Sequence, residues 1–328
     1  MALQEALRKM IAPSQGRPSI WRKGVLQIWV TRACDKACFG CTQGSNLAGK
    51  PGMMSVEQYA EALASLEGYF GVVGMFGGNP AIHPQFDELC QTLRGSWVPI
   101  PQRGIWCNHP KGKAWIMRST FYAQHSNLNV HLDREAFDQF VNDWPECRDE
   151  VKGLNPDWPE ARNRASHIVG DARHSPVYVA MQDVIPEEEE RWKLIENCDI
   201  NKYWSAMICV VNGKLRGFFC EIAGAMAMLH QNDPSWPDLG VEIKPGWWKE
   251  GMEAYADQVK FYCHRCGIPM RGYGSLAIGG EREQVSKTHA DIYQPKHRDR
   301  PVELVQLREQ LHEQALGKAT DYIQNGGV

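Results

Sequence analysis

No window of this sequence holds the roughly 18 successive apolar residues that a membrane-spanning helix needs. The first thirty residues mix Leu and Ala with Glu, Arg and Lys. They contain neither an unbroken apolar stretch nor a small-residue cleavage site, so they do not read as a signal peptide. Strong charge of one sign is also missing. A net charge of −3 gives no general electrostatic grip on nucleic acid or on an anionic membrane. There are no internal repeats and no low-complexity tract. Together these absences predict a soluble, cytoplasmic, globular protein with no membrane or nucleic-acid partner.

The 328 residues suit two modest domains, or one large domain with an appendage. Eleven cysteines then need an explanation, because a chain of this size in a reducing compartment has no use for disulfide staples. Seven of them fall in patterns that suggest metal ligation: Cys34, Cys38 and Cys41, then Cys198, Cys220, Cys263 and Cys266.

Hydrophobic periodicity predicts a strand over 25–32 and a helix begun by the Ser55/Gln58 capping box. It then predicts a strand over 71–76, a helix over 84–94, and further strands at 103–107, 127–132 and 176–182. Strand–helix alternation implies a parallel sheet with helices outside it, and functional groups gather where such strands end. Residues 143–175 break the rhythm and read as an insertion. Pro186 and the four glutamates after it read as a helix start. Asn212-Gly213 between two apolar runs signals a hairpin, and 222–230 a small-residue helix. The segment 301–322 reads as a helix with Leu304, Leu307 and Leu311 on one stripe. These features place 1–20 as an N-terminal extension, 21–196 as the alternating domain, 197–280 as a second domain and 281–328 as a C-terminal extension with a helix.

Three thiolates at Cys-x3-Cys-x2-Cys spacing can cap three corners of an iron–sulfur cubane and leave the fourth iron open. The competing readings of that spacing are a zinc site and redox thiols. In the second set, four thiolates can close a cluster completely or hold zinc, since all-cysteine ligation does not tell iron from zinc.

Cys34-Asp35-Lys36-Ala37-Cys38-Phe39-Gly40-Cys41 resembles the hallmark of the radical S-adenosylmethionine enzymes. The resemblance continues at Gly77-Gly78-Asn79-Pro80, which is similar to that family's Gly-Gly-Glu-Pro segment. It implies a [4Fe-4S] cluster on Cys34, Cys38 and Cys41 that binds S-adenosylmethionine, with the backbone at Gly77, Gly78, Asn79 and Pro80 contacting the cofactor's methionine amino group. Phe39 would lie against its adenine, and Asn108, just after the third strand, would face the cofactor. The fold implied is α/β: a partial (β/α)6, TIM-like barrel. Two positions depart from the pattern. Asn79 stands where the family has Glu, and Gly40, not an aromatic, directly precedes Cys41. The second set is similar to the "twitch" form of the SPASM-type appendage, which implies an auxiliary [4Fe-4S] cluster on Cys198, Cys220, Cys263 and Cys266.

The chemistry implied is hydrogen abstraction by a 5′-deoxyadenosyl radical, with a reductant such as flavodoxin or ferredoxin. About twenty residues precede the first strand, too few for a peptide-recognition domain. The expected substrate is therefore a small carbohydrate or aminoglycoside-like molecule, undergoing epimerisation or dehydrogenation. Maturation of a ribosomally made peptide is the alternative. Cys107 and Cys209 are the candidate hydrogen donors for epimerisation. Cys90 reads as a core residue, and the eleven histidines show no ligand spacing.

Overall fold

The computed structural model describes residues 3–4, 24–34, 41–45, 47, 52–108, 110–122, 126–128, 134–145, 173–174, 177–198, 200, 205–270, 276–277 and 285–292. In chain order the elements are β1 (Val25–Thr31), α1 (Val56–Ser65), β2 (Val72–Gly77), α2 (Phe86–Gly95), β3 (Arg103–Cys107), α3 (Ala114–Thr120), β4 (Ser126–Leu128) and α4 (Arg134–Asp143). There follow β5 (Arg173–His174), α5 (Met181–Val184), α6 (Glu188–Glu196), β6 (Ser205–Val211), β7 (Lys214–Phe218), α7 (Glu221–Leu229), β8 (Val241–Glu242), α8 (Ala256–Tyr262) and β9 (Leu276–Ala277). Seven strands form one mixed sheet in the order β4-β3-β2-β1-β6-β7-β8. The pairs from β4 through β6 are parallel, and β7 and β8 join antiparallel.

Strand alternation divides this sheet into two faces. Leu26, Ile28 and Val30 of β1, Val73 and Met75 of β2 and Ile105 of β3 share a buried face. That face extends to Gly217, whose missing side chain makes room for the Trp247 ring; the Trp247 indole N–H in turn donates to Ser65 Oγ at the end of α1. The other face carries Gln27, Trp29, Phe76 and Trp106. Met207 of β6 stands beside Gln27 on it, and α7 covers Met207 so closely that a Cβ at Gly224 would meet its sulfur.

Helix α1 begins as its sequence demands. Ser55 Oγ accepts from Gln58 N–H and Gln58 Oε1 accepts from Ser55 N–H, a reciprocal cap worth about 1 kcal/mol. The β6–β7 hairpin turns at Asn212 and Gly213, both with positive φ (49° and 76°), the conformation that Asn-Gly favours.

Four expectations change. Residues 177–180 form a turn leading into α5, not a strand. Their polar groups are engaged elsewhere: Val177 C=O accepts from Gly267 N–H, Tyr178 C=O accepts from Ser286 N–H, and Ala180 N–H donates to Ser286 Oγ. With that strand gone, the described residues carry five parallel strands in open order, not the six of a (β/α)6 barrel. The hairpin expected in a second domain is part of this same sheet, because β6 pairs with β1. Helix α6 starts at Glu188, so Pro186 lies before its cap at Glu187. The expected N-terminal helix beyond residues 3–4, most of the 143–175 insertion and the helix at 301–322 lie outside the described residues. Among the described residues, no helix is long and apolar enough to cross a membrane.

Candidate active site and a second cysteine cavity

Strand β1 is flanked by β2 on one side and by β6 on the other, so the chain leaves it in one direction and returns on the opposite side. In open α/β sheets such a switch opens a crevice at the carboxyl ends of the strands, where ligands bind. The first cysteine loop springs from that point. A register shift between Trp29 and Thr31 re-aims the end of β1, and Cys34 follows three residues later.

Both arms of the loop are anchored. On one side Gly78 N–H donates to Thr31 C=O and Asn79 N–H to Ala33 C=O, both at 2.7 Å. On the other, Arg32 N–H donates to Gly52 C=O (3.1 Å) and Met54 N–H to Val30 C=O (2.9 Å). The glycine pair allows the first contact. A Cβ on Gly77 would sit 2.2 Å from Thr31 O, and one on Gly78 would sit 2.4 Å from Ala33 O. The space a side chain would take is filled by the backbone that leads into Cys34.

Asn79 is fully buried and caps the short turn Pro80–Ile82, its Oδ1 accepting from Ala81 N–H at 3.1 Å; Pro80 opens that turn. The Asn for Glu departure is thus occupied with local structure. Asn108, next after β3, reaches the loop itself: its Nδ2 donates to Cys34 Sγ at 3.5 Å. Cys34 and Cys41 are half-buried, while Cys38 and Phe39 lie outside the described residues.

Sequence reasoning missed several neighbours of this loop. Arg32 is buried beside Cys41 and Tyr178; burial draws its guanidinium pKa down, and those two groups oppose the shift. Tyr178 Oη donates to Thr42 C=O at 3.3 Å, a contact across 136 residues that no local pattern announces. Gln43 Oε1 and Ser45 Oγ, just past Cys41, are buried without a hydrogen-bond partner, as are Gln27 Oε1 and Trp29 Nε1 on β1. Each such orphan costs about 1–3 kcal/mol unless a ligand satisfies it. A polar cofactor beside the loop fits these residues.

The second set comes together fully. Cys198, Cys220, Cys263 and Cys266 line one cavity whose other walls are apolar, among them Ile200, Phe219, Ile222, Met226 and Ile268. All four are free thiols between 5% and 7% exposed, so water cannot stabilise their charge. Cys198 follows α6, Cys220 is the N-cap of α7, and Cys263–Arg265 form a 3₁₀ turn before Cys266. Cys266 Sγ accepts from Ile268 N–H at 3.4 Å. Burial pushes the Cys266 thiol well up, and Cys198, Cys220 and Cys263 add to the shift. A metal that binds at Cys266 must therefore displace its proton.

Among the described residues, no three His, Cys, Asp or Glu side chains converge as ligands of one metal ion. Four sulfurs around a single zinc would lie about 3.8 Å apart, from Zn–S bonds near 2.3 Å. Four thiols lining an apolar cavity, with one sulfur taking a backbone N–H, are a donor set that all-cysteine zinc and iron–sulfur sites share.

The remaining cysteines of interest are core residues. Cys90 and Cys209 are fully buried and Cys107 nearly so. Burial pushes the Cys90 thiol up to about 12, and the Cys209 thiol also well up; Cys209 Sγ donates to Gly224 C=O. Cys147 lies outside the described residues. His83 bridges loops: its Nδ1 accepts from Gln85 N–H, so its Nε2 carries the hydrogen and donates to Met54 C=O.

No family model matches the chain, and no curated protein does. Among solved structures, it is similar to BtrN in complex with AdoMet and 2-DOIA, at 14% identity over 74% of this chain and 92% of that one, with a TM-score of 0.37. That score describes a loose likeness.

Proposed function

We propose that this protein is a radical S-adenosylmethionine enzyme that dehydrogenates a small, polyhydroxylated or amino-bearing ring substrate. The observation that carries the reading is the placement of the Cys34–Cys41 loop. It leaves the sheet at the switch point, with the Gly77-Gly78-Asn79 backbone bonded onto its entry and Asn108 bonded to Cys34 Sγ.

In this reading Cys34, Cys38 and Cys41 hold a [4Fe-4S] cluster, and Cys198, Cys220, Cys263 and Cys266 hold an auxiliary one. When bound, the first cluster and S-adenosylmethionine supply hydrogen-atom abstraction from an unactivated carbon, and the auxiliary cluster supplies a one-electron acceptor. The chain contributes placement. Cys220 at the N-cap of the nine-residue helix α7 turns the positive end of its dipole toward the anionic thiolate set. Asn108 gives a hydrogen bond to one sulfur of the first set. Gln43 and Ser45 offer unsatisfied polar atoms beside it.

Dehydrogenation is preferred over epimerisation because, of the two candidate donors, Cys209 is fully enclosed with its thiol on Gly224 C=O, and Cys107 packs in the core on the sheet face opposite Phe76 and Trp106. The ring-shaped substrate is favoured by the sheet face that carries Phe76 and Trp106. There Phe76 and Trp106 stand half-buried with their rings edge to face at 6.5 Å, next to the orphan atoms of Gln27 and Trp29. A flavodoxin- or ferredoxin-type protein would be the reductant.

Anaerobic reconstitution tests the reading. Two clusters per chain, and 5′-deoxyadenosine released on reduction with S-adenosylmethionine, are the expected results. A colourless protein binding zinc at the second set and releasing no 5′-deoxyadenosine would overturn it.

A further inference from the structure

The two cysteine sets are joined by a buried assembly that neither set requires, and Tyr178 is its centre. Its backbone belongs to the second set's surroundings. Val177 C=O accepts from Gly267 N–H (2.9 Å), next to Cys266, and Tyr178 C=O accepts from Ser286 N–H (3.0 Å). Its side chain belongs to the first set's loop. Tyr178 Oη donates to Thr42 C=O at 3.3 Å, and a Cβ on Gly44 would lie 2.8 Å from that oxygen and 2.5 Å from Leu229 at the end of α7.

The segment 285–292 locks this arrangement. Asp183 accepts from Ser286 Oγ (2.5 Å), Thr288 N–H (2.7 Å) and Thr288 Oγ1 (2.8 Å). His289, fully buried, meets the Tyr178 ring edge to face at 5.5 Å. The Arg265 carbonyl, 2.7 Å from His289 Nε2, can only accept, so Nε2 carries the hydrogen. Nδ1 is then an acceptor, and His230 Nε2–H donates to it at 3.0 Å. His230 stacks on Trp236, the rings 3.6 Å apart. Arg265 lies inside the Cys263–Cys266 turn, so the pair of histidines holds that turn from behind.

We infer that Tyr178 is a positioning residue for the S-adenosylmethionine site, pinning the Thr42–Gly44 end of the first loop to the framework of the second cysteine set. The inference rests on the proposed function, since it concerns the loop that function assigns to the cofactor. The structure makes the pin specific: a phenolic O–H on one backbone carbonyl, carried on a turn whose Val177 carbonyl is bonded next to Cys266 and whose Tyr178 carbonyl is bonded to Ser286.

The test compares Tyr178→Phe with Tyr255→Phe, using reconstituted full-length protein. Tyr255 Oη also donates to a buried carbonyl at 3.3 Å, that of Trp247, which lies in neither cysteine loop. Iron and sulfide content, the dissociation constant for S-adenosylmethionine by calorimetry and the paramagnetic spectrum of the reduced first cluster are measured. Tyr178→Phe should keep full iron, bind S-adenosylmethionine about fivefold more weakly and alter the cofactor-induced spectral change. Tyr255→Phe should lose comparable thermal stability with the affinity unchanged. Equal affinity in wild type and Tyr178→Phe, or equal weakening in both variants, would overturn the inference while leaving the proposed function intact. Wild-type protein without iron would instead overturn the function.

Discussion

Substituting Gly77 by Ala should dislodge the first cysteine loop. A Cβ there would sit 2.2 Å from Thr31 O and 3.1 Å from Thr31 N, and the residue's φ of 152° lies outside the range that alanine favours. The obstacle is backbone in the bulged end of β1, which cannot swing aside as a side-chain tip can. Relief requires 77–79 to move off 31–33. That breaks the bonds from Gly78 N–H to Thr31 C=O and from Asn79 N–H to Ala33 C=O. Two such bonds are worth about 1 kcal/mol each, and residual strain adds about 1–3 kcal/mol. The expected loss is therefore roughly 3–5 kcal/mol. Urea unfolding measures it. Iron retention, assayed in a background carrying Cys263→Ala and Cys266→Ala, reports the first site alone and should fall. Gly95→Ala is the control: its Cβ would meet nothing within 4 Å at the end of α2, and alanine favours a helix by up to about 1 kcal/mol. A Gly77→Ala protein with wild-type midpoint and full iron would refute the reasoning, because the contact said to anchor Cys34 would then carry no weight.

Three further outcomes are expected. Cys263→Ala with Cys266→Ala should leave about half the iron and sulfide of the reconstituted protein, because only two thiols remain at the second cavity, fewer than the three that would hold the first cluster, and the first loop is untouched; iron analysis checks this. Asn108→Ala should lower the reduction potential of the first cluster, since an N–H donor to Cys34 Sγ stabilises the reduced form, and potentiometric titration followed by paramagnetic resonance reads the shift. His230 and His289, held down to about 3 and about 4 by burial, are neutral in the fold but protonate near pH 6.5 when unfolded. Asp233, Asp183 and Arg265 face them, and the net shift stays downward. Their contribution is complete above about pH 6.5 and is lost as the pH falls toward their folded values, by about 1.4 kcal/mol per unit for each. Unfolding at pH 7, 6 and 5 should show a shallower loss in a His230→Asn, His289→Asn variant than in wild type.

How much of this was legible in the sequence depends on the range of the interaction involved. Strands β1, β2 and β3, the capped helix α1 and the Asn212-Gly213 hairpin follow from local periodicity and turn chemistry, and they stand within a residue or two of where the pattern puts them. The second cysteine set was legible as a set that lines one cavity, because Cys220, Cys263 and Cys266 carry local marks: a hairpin end, a helix start and a Cys-x-x-Cys turn. The segment at 176–182 misled. Val-Tyr-Val-Ala has strand composition, but its carbonyls bond to Gly267 and Ser286, partners about ninety or more residues away that composition does not encode. The same holds for Tyr178 at Thr42 and for the His230–His289 pair. Each is a single side chain meeting a distant backbone or ring, with no periodic signal. The glycine pair was legible as a close approach of backbone, but its contact with Thr31 and Ala33 of the chain itself was not.

The parallel pairing of β6 with β1 has a consequence for the chemistry. Strand β6 is the fifth parallel strand and also the first arm of the hairpin that leads to Cys220, so one sheet carries both the strand that leads into Cys34 and the hairpin that leads to Cys220. Helix α7 then runs from Cys220 at its N-cap to Leu229 against Gly44 of the first loop. Nine residues of helix span about 14 Å, which sets the separation of the two sites along this element. Sheet, helix and the Tyr178 turn are three independent connections between the same two places. A lengthened hinge between independent domains would leave their separation free, whereas here it is fixed by packed backbone. Inserting residues into the 212–213 turn should therefore leave the spacing unchanged. Breaking the β1–β6 pairing, for example with Ala206→Pro, should disturb both cysteine sites together, with iron lost from both in one unfolding step. Loss of iron from the second site alone would show that the shared sheet does not hold the two in common.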